Sequence, residues 1–198
     1  MIGRIKRKVL QEIKRIRSDI LVKRTQFQTK LSSGTFSFSS PPRLDCPLRC
    51  NGSGLVHLGD KVSIGYNKAP KYGNGEILLQ ARRVEAKINI GSGTMTSNNI
   101  SIIACSEISI GMNCQIGDQV AIYDCDFHEI NPDTRNDSAG EVDSVKIGNN
   151  VWLGSRVMIL KGVSIGDNSV VAAGSIVTKS IPSNCLSAGS PAKVIRKI

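Results

Sequence analysis

The sequence holds two histidines, His57 and His128, and His128 is the one placed to do chemistry. A neutral imidazole titrates near physiological pH and suits a general base that activates a weak nucleophile such as a hydroxyl. Asp124 and Asp126 precede it. Either one of them holds the imidazole tautomer, as an acid does in hydrolase triads, or both are solvated or contact a bound molecule. His128 opens a stretch, 128–144, that interrupts an otherwise regular pattern, and function concentrates on loops carried by a rigid scaffold. That loop sets Glu129, Asp133, Asp137, Glu141 and Asp143 against Arg135, a balance that disfavours a strongly anionic acceptor. His57 reads as a surface residue. Cys46 and Cys50 have no second ligand pair at zinc spacing, and Cys125 with His128 is no better, so they read as structural thiols and no metal is expected. Cys105 and Cys114 fit small core positions.

The regular pattern positions the loop. From Ile147 an apolar residue recurs every six positions, through Leu153, Ile159, Ile165, Val171 and Val177. The following residue is usually small (Gly148, Gly154, Gly166, Ala172), and a small or β-branched residue stands three further on. The same frame holds at Ile110, Ile116 and Ile122, then two residues out of phase at Ile90, and more loosely at Ile64 and Leu58. A six-residue period fits neither a helix nor a single strand. It fits a short strand followed by a turn, three to a triangular coil, with coils stacked at about 4.8 Å. One coil cannot bury its apolar face, so about four to six must stack. A narrow prism has little room for rings, in keeping with 4% aromatic residues. Glycine is expected where the backbone turns through unusual dihedrals.

Three motifs carry a resemblance: Val-Trp-Leu-Gly-Ser at 151–155, Ala-Gly-Ser-Ile-Val-Thr-Lys at 173–179, and Ala-Gly-Ser-Pro-Ala-Lys-Val-Ile-Arg at 188–196. Over about Val84 to Ile198 the chain resembles the hexapeptide-repeat acyltransferases, and within them the galactoside, maltose and bacterial polysaccharide O-acetyltransferases. The resemblance implies an all-β, left-handed parallel β-helix, a homotrimer with active sites between subunits, and acetyl-CoA as co-substrate. It makes His128 the catalytic base, with Arg135 seven residues on; Glu129 departs from the proline that the sugar acetyltransferases usually carry. Where the family has an asparagine facing the histidine, this chain has Ser97, with Asn99 two residues away. Trp152 would line the tunnel, and Ser155 would meet the thioester with its backbone N–H. Ala173 and Gly174 would leave room for pantetheine, and Thr178, Lys179, Lys193 and Arg196 would meet pantetheine and phosphates. The implied reaction moves acetyl to a sugar hydroxyl, of a surface polysaccharide or its precursor. Acetylation of an amino sugar, serine or antibiotic is the alternative on this scaffold, and a non-catalytic β-helix is another. A γ-type carbonic anhydrase would need three histidine ligands, and the chain has two.

The N-terminus has a different character. Residues 1–30 hold ten basic and two acidic residues, a charge of +8 of the chain's +10. Apolar residues at Ile2, Ile5, Val9, Ile13, Ile16 and Ile20 recur at the helical period, which predicts a basic amphipathic helix over 1–30. It either lies on an anionic membrane leaflet or packs on the trimer. No base-reading motif supports nucleic acid. The Ser- and Pro-containing stretch 31–50 reads as a linker, 51–182 as the β-helix, and 183–198 as a C-terminal tail that binds CoA. No run of 18 apolar residues and no signal-peptide core are present. The expected location is the cytoplasm, with reduced thiols and at most peripheral contact with the inner membrane face.

Overall fold

The first residues of the repeat pair directly with one another. Ile147 lies beside Ile110 on one side and Ile165 on the other, and Ile110 lies beside Ile90. The interruption at 128–144 is therefore spliced out of the stack without shifting its register. The two-residue phase change between Ile90 and Ile110 is taken up at the corner around Cys105.

The computed structural model describes residues 2–198, with side chains from residue 6 onward. The side chains of Ile2, Arg4 and Ile5 in the expected helix lie outside the described residues. Three parallel sheets form the faces of a prism. The first face runs from Thr35–Phe38 to Ser164–Ile165, the second from Arg43–Leu44 to Val170–Val171, and the third from Leu48–Asn51 to Ile176–Val177. The chain visits the faces in turn and completes six coils. Most strands send an aliphatic side chain inward, so Leu58, Ile64, Ile88, Ile102, Ile122, Leu153 and Ile159 form one continuous buried core.

The linker expected over 31–50 is instead the first coil. Thr35–Phe38 pairs in parallel with Leu55–Leu58, Arg43–Leu44 with Ser63–Ile64, and Leu48–Asn51 with Ile77–Ala81. Its serines and prolines sit at strand ends and corners, where they do not interrupt the ladder. The β-helix thus begins at Thr35. At the other end, Cys185–Gly189 extends the second face and Ala192–Lys197 folds back antiparallel on it.

The turn chemistry meets expectation at glycines such as Gly65, Gly93 and Gly162, which adopt positive φ, but not at every repeat glycine. Gly111 and Gly148 do not have left-handed dihedrals; they sit where coils stack, and a Cβ on Gly111 would lie 2.5 Å from the Gly148 carbonyl oxygen. Asparagines such as Asn113, Asn150, Asn168 and Asn184 share the left-handed positions with glycines, being the side chain that tolerates this region best after glycine. Asn150, Asn168 and Asn184 form a ladder of amide hydrogen bonds at 3.0 Å along one edge.

The helix α1, Ile2–Leu31, lies across the open end of the first coil. Val22 joins the core. The hydroxyls of Thr25 and Thr29 donate to the carbonyls of Leu48 and Cys50 at 2.8 and 3.0 Å. Ser18 accepts the Leu44 N–H at 2.8 Å. These bonds satisfy strand groups that a terminal coil leaves without a neighbour.

Candidate active site

Two of the three prism edges hold the residues singled out by their chemistry. His128 stands on the edge between the third and first faces, after the strand Ala121–Tyr123. The base of its loop is clamped by a bridge between Cys125 and Val142 and by the Asp126 N–H donating to the Glu141 carbonyl at 3.2 Å. Phe127 adopts φ +70° and is held between Tyr123, edge to face at 5.2 Å, and the Arg82 guanidinium, 4.7 Å above its ring. Gly140, at φ +68°, brings the returning strand against His128: a Cβ there would lie 2.3 Å from the His128 carbonyl oxygen. The backbone of His128 is thus held on both sides. Its side chain is exposed and bonds to no other group among the described residues.

The two aspartates are engaged elsewhere. Asp124 is fully buried and accepts the N–H groups of Cys105 and Ser106 at 2.7 and 2.8 Å, closing the corner rather than orienting the imidazole. Asp126 pairs with Lys161 through both oxygens at 2.8 Å, and Glu141 reaches the same ammonium at 3.2 Å. Chiefly the Asp126 hydrogen bond raises the Lys161 pKa above its ordinary value. Arg135 turns back on its own loop and donates to the Ile130 carbonyl at 3.2 Å. A pocket of about 560 Å³ under the loop is lined by Asp126, Lys161, Asp143 and Thr178. Lys179, next to Thr178, is exposed on this same edge.

The second cluster lies on the second face and the edge between it and the third. Ser97, Gly117, Ser155 and Gly174 follow the inner strands there, coil above coil. The stack is tight, since a Cβ on Gly117 would lie 2.5 Å from the Ser155 nitrogen. Gly174, at φ +73°, is the opposite case: a Cβ would meet nothing within 4 Å, so the backbone borders open space. Ala173 beside it is exposed. The Ser155 hydroxyl donates to Asp118 at 2.6 Å, and the Ser155 N–H meets no acceptor among the described residues. Trp152, 56% exposed, lines a pocket of about 380 Å³ with Ser97, Tyr66, Gln115 and Gly117. Lys193 and Arg196 are exposed on the C-terminal strand Ala192–Lys197.

Asn99 is engaged within the chain. Its side chain accepts the Tyr72 N–H and donates to the Pro70 carbonyl, at 3.2 and 3.1 Å. The buried Asn98 bonds to Tyr66, Ala69 and Pro70. Together they fold the excursion between Ser63–Ile64 and Ile77–Ala81, which the repeat analysis did not single out. Of the candidates near the expected asparagine, Ser97 is the one that faces the pocket. His57 has both ring nitrogens within reach of hydroxyls, Ser37 at 2.9 Å and Ser39 at 3.4 Å.

Asp118 went unremarked in the sequence, though Ile116-Gly117-Asp118 lies in frame with Leu153-Gly154-Ser155 one coil on. The register alone places the carboxylate beside the Ser155 hydroxyl. Phe127 and Arg82 carried no such signal, because their contact crosses the corner of two coils.

Residues 144–179 match the bacterial transferase hexapeptide model, six repeats. The galactoside O-acetyltransferase of Escherichia coli K12 is 42% identical over 113 residues, 57% of this chain and 55% of that protein. The galactoside O-acetyltransferase of Lactococcus lactis is 40% identical over 111 residues, 56% and 53% of the two chains. This chain thus matches little more than half the length of these relatives. A solved galactoside acetyltransferase in complex with coenzyme A superimposes with a TM-score of 0.56 at 29% identity, covering 94% of this chain and 82% of that one. Residues 144–179 thus carry the hexapeptide repeat, the fold is that of a left-handed parallel β-helix, and over little more than half its length the chain is similar to the galactoside O-acetyltransferases.

Proposed function

We propose that the chain is an acetyl-CoA-dependent O-acetyltransferase that works as a homotrimer on a sugar hydroxyl, with His128 as the general base. The observation that carries this reading is the pairing of an unpartnered imidazole on one edge with a bare, small-residue edge on another. The second edge fits a pantetheine arm. Gly174 offers backbone next to open space, Ala173 adds only a methyl, and the Ser155 N–H has no acceptor of its own. Lys193 and Arg196 on the C-terminal strand supply cations for phosphate groups.

The two clusters lie on different edges of one prism, so a single chain does not join them. A cyclic trimer would, by laying one subunit's second-to-third edge against its neighbour's third-to-first edge. Thr178 and Lys179 would then face the donor from the neighbour's side. His128 would take the acceptor's hydroxyl proton as the oxygen attacks the thioester carbonyl, and return it to the departing thiolate as the carbon–sulfur bond breaks. The Ser155 N–H would bind the carbonyl oxygen as it gains charge, with Asp118 holding the residue in place. Trp152 and Ser97 would form the wall against which a sugar ring lies. The acidic loop favours a neutral acceptor, such as a unit of a bacterial surface polysaccharide or its precursor.

Calorimetry with acetyl-CoA tests the donor half before any acceptor is known. Binding in the micromolar range, weakened about tenfold or more by Lys179→Ala with Arg196→Ala through loss of charge-assisted phosphate bonds, is expected. No binding by the folded protein at millimolar acetyl-CoA would overturn the proposal.

A further inference from the structure

We propose that α1 docks the protein on an anionic membrane surface, with its apolar stripe as the inserting face and its lysines and arginines on the lipid headgroups. This goes beyond acetyl transfer and does not depend on it. The described residues of the expected apolar stripe, Val9, Ile13, Ile16 and Ile20, are exposed, and Phe27 and Leu31 continue them on the same side. Each is exposed by half or more. At 3.6 residues per turn they fall within a strip about 60° wide that runs the length of the helix. The face on the β-helix is the opposite one, about 180° away. It is made by Ser18, Val22, Thr25 and Thr29, all buried. The helix therefore docks on its own protein mostly through hydroxyls, and presents its aliphatic side outward. Every side chain from Lys6 to Arg17 is exposed, so this half of the helix adds nothing to the buried core.

Charge decides what covers the stripe. Lys6, Arg17 and Arg24 border it on one side, and Lys8, Lys23 and Lys30 on the other. Of the two acids in the segment, Glu12 is paired with Arg15. An apolar strip flanked by cations along both margins fits a layer whose surface is anionic and whose depth is apolar. A second copy of α1 fits poorly, because it would set a +8 segment against another +8 segment. Among the described residues no helix is long and apolar enough to cross a membrane, so the geometry is that of a helix lying in the interface plane.

Sedimentation of the full chain with vesicles tests this. Vesicles of phosphatidylcholine with about one-third phosphatidylglycerol should carry the protein down at low salt, and pure phosphatidylcholine should not. Salt near 1 M, where screening reaches about 3 Å, should weaken that binding. Ile16→Glu with Ile20→Glu, and separately Arg17→Glu with Arg24→Glu, should each reduce partitioning by about tenfold or more. Circular dichroism and mass by light scattering should stay unchanged, since these side chains are exposed. Equal binding to both vesicle types, or none to either, would overturn the proposal. So would anionic-vesicle binding that survives Ile16→Glu with Ile20→Glu, because the stripe would then not insert. A lower assembly mass in that variant would show that the stripe is covered by another subunit, and would overturn it too.

Discussion

His128 has no hydrogen-bond partner among the described residues, so replacing it should remove the base and leave the fold intact. His128→Ala should lower kcat by about a hundredfold to ten-thousandfold, with the melting temperature unchanged, as read by steady-state kinetics and calorimetry. Asp118 acts through Ser155. Asp118→Ala frees the hydroxyl bonded at 2.6 Å and should lower kcat by about tenfold through misplacement, while His128 chemistry keeps its pH profile. The thiols make a separate test. Burial first, and the neighbouring Cys105 second, push the Cys125 thiol up to about 12, and burial pushes Cys46 up to about 11. A raised pKa leaves the group protonated at pH 8, and the thiolate is the reactive form. Iodoacetamide at that pH should therefore label neither in the folded protein, and should label both after denaturation, as read by peptide mass spectrometry.

Two elements hold the site. The 128–144 loop depends on Gly140, where a side chain would need a left-handed backbone and would strike the His128 carbonyl. Gly140→Ala should cost about 1–3 kcal/mol of local strain. Its effect should fall on kcat, with the melting temperature lowered by only a few degrees. Helix α1 caps the first coil through Thr25 and Thr29. Each valine substitution should strand a carbonyl and cost about 1–3 kcal/mol. Thr25→Val with Thr29→Val should accordingly lower the melting temperature by several degrees in a thermal scan while leaving catalysis by the remaining folded protein intact. The Ser37, Ser39, Pro41 and Pro42 run reads as a linker because its composition is that of loops. The ladder decides otherwise: each residue needs only its partner in the next coil, and Ser37 finds His57.

At the scale of the molecule, the division of the site between two edges is testable. Gly174→Trp should fill the groove proposed for pantetheine and remove most of the activity, as His128→Ala should. If the site is shared between subunits, refolding an equal mixture of the two variants should restore about a quarter of wild-type activity, since one interface in four then pairs an intact edge with an intact histidine. A site contained within one chain would recover nothing.

The period of six, read with β-branched residues, by itself determined the β-helix, the inward residue of the later strands and the place where the loop leaves the stack. Those follow from spacing along the chain, because a coil's core positions are set by local alternation and by the coil next to it. His128 stood out for the same reason, as the histidine at the break in a regular pattern. Only the tertiary structure decided which polar groups were already engaged. Asp124 is used up by two backbone amides, Asp126 by Lys161 and Asn99 by the 66–75 excursion, through contacts of 18 to 35 residues' separation. It also decided which side of α1 faces the protein. Amphipathicity shows that a helix has an apolar side, but the open end of the first coil offered unpaired backbone groups, and hydroxyls at Ser18, Thr25 and Thr29 met them better than aliphatic side chains do.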